Sequence, residues 1–209
     1  MVADYRASSS ARMDRRKRPL TKRPTAGDSR RVGSVTPPER WYEPTNQPRL
    51  RIVAQSPGAG YRHVVTAPEV RERLAQLPSR FTRMLEVVQL SGMTRKKLTF
   101  PCYGMQWGTA IYLYPIEETL VETFHRPPLP AERIEARQFG GRWRQVSPER
   151  WQLQWDEESL RDFYLNNILI HELGHLVDQR NTSSLDRERY AEWFALEYGY
   201  KPSRRVRRI

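Results

Sequence analysis

Between Asp156 and Arg180 the chain runs without a proline and with a single glycine, and in the middle of that stretch stands His171-Glu172-Leu173-Gly174-His175. No other feature narrows the fold as far. Leu160, Phe163, Tyr164, Ile168, Leu169 and Leu176 give the stretch apolar faces at helical spacing, which predicts one long buried helix over 157–180. Asp156 has the chemistry of an N-cap, and Glu157 and Glu158 suit the positive end of the helix dipole. Asn181-Thr182-Ser183-Ser184 ends the helix, and a shorter one is expected over 185–198, closed by Gly199 and by Pro202 beyond it.

Helix geometry turns this pattern into chemistry. Residues four apart project from one face about a turn apart, so the imidazoles of His171 and His175 can bind a single metal ion without backbone distortion. Glu172 is one step around the helix, beside such an ion rather than on it, where it can act as a general base toward water. This residue set at this spacing on a helix is the pattern of zinc metallopeptidases. A helix this apolar rarely carries two histidines and a glutamate for packing alone. Catalytic zinc needs a third protein ligand and leaves the fourth position to water. Glu188 and Glu192 on the next helix are themselves four apart, so one can ligate while the other orients a ligand imidazole; Asp186 and Glu197 are less well placed. Mirroring the helical hairpin about residues 182–183 puts the metal level between Glu188 and Glu192, which leaves both open as ligand. Asp178 is suited either to tethering a ligand imidazole or a loop, or to an ordinary helix salt bridge.

His171 through Asp178, followed by Glu188-Arg189-Tyr190-Ala191-Glu192-Trp193-Phe194-Ala195, resembles the zinc-binding core of gluzincin-type metallopeptidases. The pattern is that of the anthrax lethal factor-like domain, HExxHxVD and then ExxAExF, and a similar arrangement occurs in the ImmA/IrrE-like peptidases. The resemblance covers residues 157–198. It implies a zincin-like α+β fold: an N-terminal helix, a small twisted and mostly antiparallel sheet, a long active-site helix and a following ligand helix. It also implies one Zn²⁺ held by His171, His175 and Glu188, with Glu172 as general base, Glu192 in support, and a protein or peptide as substrate. Only twelve residues separate His175 from Glu188, a tighter connection than those families show. Asn181 stands where lethal factor-like enzymes carry an oxyanion-stabilising tyrosine, so Tyr190, Tyr164, Tyr112 and His125 are the remaining electrophile candidates.

Charge divides the chain. Residues 1–50 hold 12 Lys and Arg against 5 acids, residues 51–200 hold 19 against 19, and residues 201–209 hold 5 against none, so the net +12 belongs to the ends. The segment 1–48 has Ser8-Ser9-Ser10, Arg15-Arg16-Lys17-Arg18 and six prolines but little apolar periodicity, and reads as a disordered basic tail. The expected organisation is therefore this tail, a metallopeptidase domain over 49–200, and a basic C-terminal tail over 201–209. Basic tails without interleaved aromatics bind phosphate weakly and without reading sequence, so nucleic acid or another polyanion is an expected weak contact. A second class of function follows from them: a low-turnover regulatory or partner-binding protein on the same fold. The lone Cys102 excludes an internal disulfide and reads as a small buried apolar group. No apolar run reaches membrane-spanning or signal-peptide length, which gives the expectation of a cytoplasmic protein with no membrane span.

Elsewhere, Pro68 opens a helix with Val70, Leu74 and Leu77, and Phe81, Met84, Leu85, Val88 and Leu90 predict a second amphipathic piece up to Ser91-Gly92. Leu98 and Phe100, 109–114 and 151–155 read as strands. The run 109–114 is the expected open edge for a peptide substrate. Residues 126–131 read as a stiff proline-rich loop, a possible ligand for a partner domain, and Gly140-Gly141 as a hairpin turn.

Overall fold

The computed structural model describes residues 41–45, 49–94, 97–98 and 102–206. Its centre is a four-stranded sheet of β1 (Arg51–Ala54), β3 (Val87–Leu90), β5 (Ala110–Leu113) and β4 (Gly104–Trp107), in that spatial order. β1 and β3, and β3 and β5, run parallel, while β4 lies antiparallel to β5. The α+β class thus holds, but the central sheet is not mostly antiparallel. A parallel pair must be joined by a crossover, and α1 (Ala67–Ala75) and α2 (Ser79–Thr82) lie on the connection from β1 to β3. Antiparallel pairing is otherwise found in the small ladder of β2 (Tyr61–Arg62) with β6 (Ile116–Glu117), and in a second sheet of β7 (Val121–Phe124), β9 (Arg150–Gln154) and β8 (Arg142–Ser147).

β3 and β5 are buried along their whole length because both faces of the sheet are covered. Val88, Leu90, Ile111 and Leu113 join the main core with the helices. Val87, Ala110 and Tyr112 face the other way, where Trp41 and Tyr42 pack on them. Trp41 meets the Tyr112 ring edge-on with centroids 4.9 Å apart, and the Tyr42 N–H donates to the Tyr112 hydroxyl at 2.8 Å. Residues 41–45, expected to belong to a tail, are therefore a strap on the domain; residues 1–40 lie outside the described chain.

Thr66 and Glu69 form a capping box at the start of α1, with Pro68 in its first turn as expected. The second amphipathic piece is a correction. Only Ser79–Thr82 is helical, and Val88 and Leu90 lie in β3, because a short all-apolar run fits a strand buried on both faces as well as it fits a helix. Lys97 and Leu98 lie in a helical turn on the Thr94 carbonyl rather than in a strand, and Phe100 falls outside the described residues. The stiff loop ends where Pro130 opens α3 (Pro130–Gln138), whose Glu132 carboxylate caps the Leu129 N–H at 2.8 Å. Gly140 is not a hairpin turn. It closes α3 with φ of 90°, the left-handed value that favours glycine, and the hairpin turn falls instead at residues 148–149, between β8 and β9.

The long helix is observed as α4 (Glu157–Phe163), a π-helical turn over Tyr164–Ile168, and α5 (Leu169–Val177). Asp156 caps it by accepting from the Ser159 N–H at 2.7 Å. α6 (Ser184–Ala195) follows, and here Gly199 does not end the helix: a second π-helical turn, Leu196–Tyr200, leads into α7 (Lys201–Val206). Gly199 is needed for a different reason, since a Cβ there would collide with the Asn166 carbonyl of the first π turn. Buried Arg73 ties the two turns, donating to the Asn166 Oδ1 at 2.6 Å and to the Tyr198 carbonyl at 2.5 Å. Residues 201–206, read as tail, are helical, and Arg204 reaches back to Asp162 at 2.6 Å. Among the described residues no helix is long and apolar enough to cross a membrane.

Candidate metal centre

α5 and α6 cross where Gly174 meets Ala191: a Cβ on Gly174 would stand 2.9 Å from the Ala191 Cα and 3.1 Å from the Phe194 Cβ. Only a bare Cα lets the two backbones approach so closely. That approach brings the polar groups of the two helices together. The His171 and His175 Nε2 atoms are 3.1 Å apart, and Glu188 places Oε2 3.6 Å from the first and Oε1 3.9 Å from the second. One ligand atom from each of the three lies within 4.8 Å of the others, a spacing that one small divalent cation can bridge.

The groups of the cluster are electrostatically coupled. Burial pushes the His175 imidazole down to about 4, with the adjacent His171 adding to the effect, so at neutral pH its nitrogen lone pair is available as a donor. His171 is buried too, which opposes its charged form, but the Glu188 carboxylate and the charge of Glu172 outweigh burial and raise it. Two nitrogen donors and a carboxylate, one histidine neutral and the other beside two carboxylates, form a donor set suited to zinc.

Glu172 does not join the three. Its side chain is turned toward the sheet, only 5% exposed, and burial raises its carboxyl to about 7 while the Gln106 backbone N–H bonds to it. Gly104 of β4 makes room for it: a Cβ there would lie 2.9 Å from the Glu172 Cγ and 2.7 Å from the Ile168 Cγ2. β4 is also the edge of the central sheet, whereas β5, the expected open edge, is paired on both sides by β3 and β4. A parallel crossover inserted β3 beside β5, and no pattern within residues 109–114 marks that.

Glu188 converges on the histidines, while Glu192 stays exposed, its carboxyl raised by partial burial against the pull of His171. Asp178 holds the turn between α5 and α6, accepting from the backbone N–H groups of Arg180 and Asn181 at 3.2 Å each and from the Asn181 side-chain amide at 3.0 Å. Of its alternatives the loop tether is the one observed. That bond also occupies Asn181. The Tyr164 hydroxyl donates to the Tyr114 carbonyl, Tyr112 lies beneath the Trp41 strap, and Tyr190 packs at a tilt against Trp193 under the Arg180 guanidinium. His125 is exposed on the residue after β7. Gly104 and Gln106 were not foreseen as part of the site; an isolated glycine in a strand is the available signal for such close approach. No protein-family model, curated protein or solved structure matches this chain.

Proposed function

We propose that the chain is a zinc-dependent endopeptidase. The observation that carries the reading is the convergence of His171, His175 and Glu188, with buried Glu172 between that cluster and β4, the edge strand of the central sheet. His171, His175 and Glu188 hold the ion, and Glu192 supports from the next turn of α6. When bound, zinc supplies Lewis acidity toward an attacking water and a scissile carbonyl. Glu172 takes the proton of that water on a carboxylate oxygen and returns it to the leaving amine. β4 is the edge strand of the sheet; Glu172 accepts from its Gln106 N–H, and an extended peptide would add along the rest of that edge.

The test is metal analysis of the purified chain, together with hydrolysis of an unstructured protein such as casein by the wild type and by E172Q. About one zinc per chain is expected in both proteins. E172Q should lose hydrolysis by about 10²- to 10⁴-fold, the contribution of a positioned general base. Zinc absent from the wild type, or hydrolysis undiminished in E172Q, overturns the reading.

A further inference from the structure

A second reactive group lies on the opposite face of the sheet from the main core. Lys97 is 6% exposed, and its Nζ stands 3.3 Å from the Cys102 Sγ and 3.8 Å from the centroid of the Tyr114 ring. Among the described residues no carboxylate forms an ion pair with this ammonium. An ammonium withdrawn from water is costly unless an anion or an electron-rich face meets it. The Tyr114 ring supplies such a face on one side, and the other is closed by the sulfur. The sulfur accepts from the ammonium, and a cationic neighbour is what lowers the pKa of reactive cysteines. Cys102 itself keeps 8% of its surface open.

We propose that Cys102 is a peroxide-sensing thiolate held by Lys97. The sulfur attacks one oxygen of a hydroperoxide: an S–O bond forms, the O–O bond breaks, and the second oxygen leaves as hydroxide or alkoxide and takes up a proton. Sulfur is oxidised by two electrons and the peroxide bond is reduced by the same two. The product is a sulfenic acid whose oxygen faces the Lys97 ammonium, and a small thiol returns it to the reduced state. The proposal does not depend on the metal or the peptidase reading, although the Lys97 charge also acts on the Glu172 carboxyl.

Cys102 is the chain's only cysteine, so every thiol signal belongs to it. The full chain at neutral pH should show more thiolate absorbance in the ultraviolet when native than when unfolded in urea. Hydrogen peroxide should add one oxygen atom to the intact mass, removable by a thiol reductant. K97M should slow that reaction roughly tenfold, the loss expected when a thiol returns to its ordinary pKa, while K97R, which keeps the charge, should react near the wild-type rate. A native chain with no more thiolate than the unfolded one overturns the proposal, as does a folded K97M that reacts like the wild type. Should K97M fail to fold, the native and unfolded wild-type comparison decides alone.

Discussion

The chemistry of the candidate site depends on two glycines as much as on its donors. Gly104 and Gly174 contribute no functional group, yet each marks a place where a methyl would displace a working part: Glu172 in the first case, the α6 backbone in the second. G104A should therefore cost about 1–3 kcal/mol in chemical or thermal unfolding, the usual penalty for overpacking a filled space. Its hydrolytic loss should exceed its loss of zinc, because the displaced atoms belong to Glu172 and Ile168 rather than to a ligand. Equal loss of both would show that the β4 contact supports the His171, His175 and Glu188 cluster rather than Glu172 alone.

At the scale of elements, the site is a helical hairpin set by its crossing point, its turn and its caps. Alanine in place of Gly174 favours the isolated helix by up to about 1 kcal/mol, but the new Cβ would press on the Ala191 backbone at 2.9 Å. Packing prevails over propensity because backbone atoms cannot move aside as a side-chain tip can. G174A should weaken zinc binding by about 10- to 100-fold in competition with a chelator, the scale seen when supports of a metal ligand are removed. The Asp156 cap gives the same long helix an acid dependence. Its carboxyl is held below the usual range, chiefly by the Ser159 backbone N–H. A depressed folded pKa means stability that is complete above the unfolded value of about 3.9 and is lost as pH falls through the folded one. D156A should cost about 1 kcal/mol at neutral pH, with the deficit shrinking in acid, as read from melting curves at both pH values.

For the whole molecule, metal and fold should be coupled, because the three donors come from two separate helices and converge only after folding. Zinc at about a thousand times its dissociation constant should stabilise the chain by about 4 kcal/mol. A melting temperature unmoved by zinc or by chelation would contradict a cluster formed only in the folded state. The C-terminal helix adds a further tie. Arg204 is hydrogen-bonded to Asp162 and to the Gln138 carbonyl and lies over the Phe139 and Tyr200 rings, so charge alone misread it as tail.

How much was legible beforehand follows from the range over which each signal acts. The His171, Glu172 and His175 spacing, the Asp156 cap and the Pro68 helix start are local geometry, set within about a turn of backbone, and residues read in order are enough for them. Glycine and proline are ambiguous in the same local frame. Gly140 closes a helix rather than turning a hairpin, Gly199 serves a close approach, and Pro130 opens α3 out of what reads as a loop. Strand order, the choice of β4 over β5 as the edge, and the placing of Glu188 rather than Glu192 against the histidines were decided only by tertiary structure. Each depends on contacts between segments distant in the chain or on an angular phase that accumulates along a helix. The two π turns show the physical reason: each places one extra residue in a helical turn and so shifts every side chain beyond it around the helix axis.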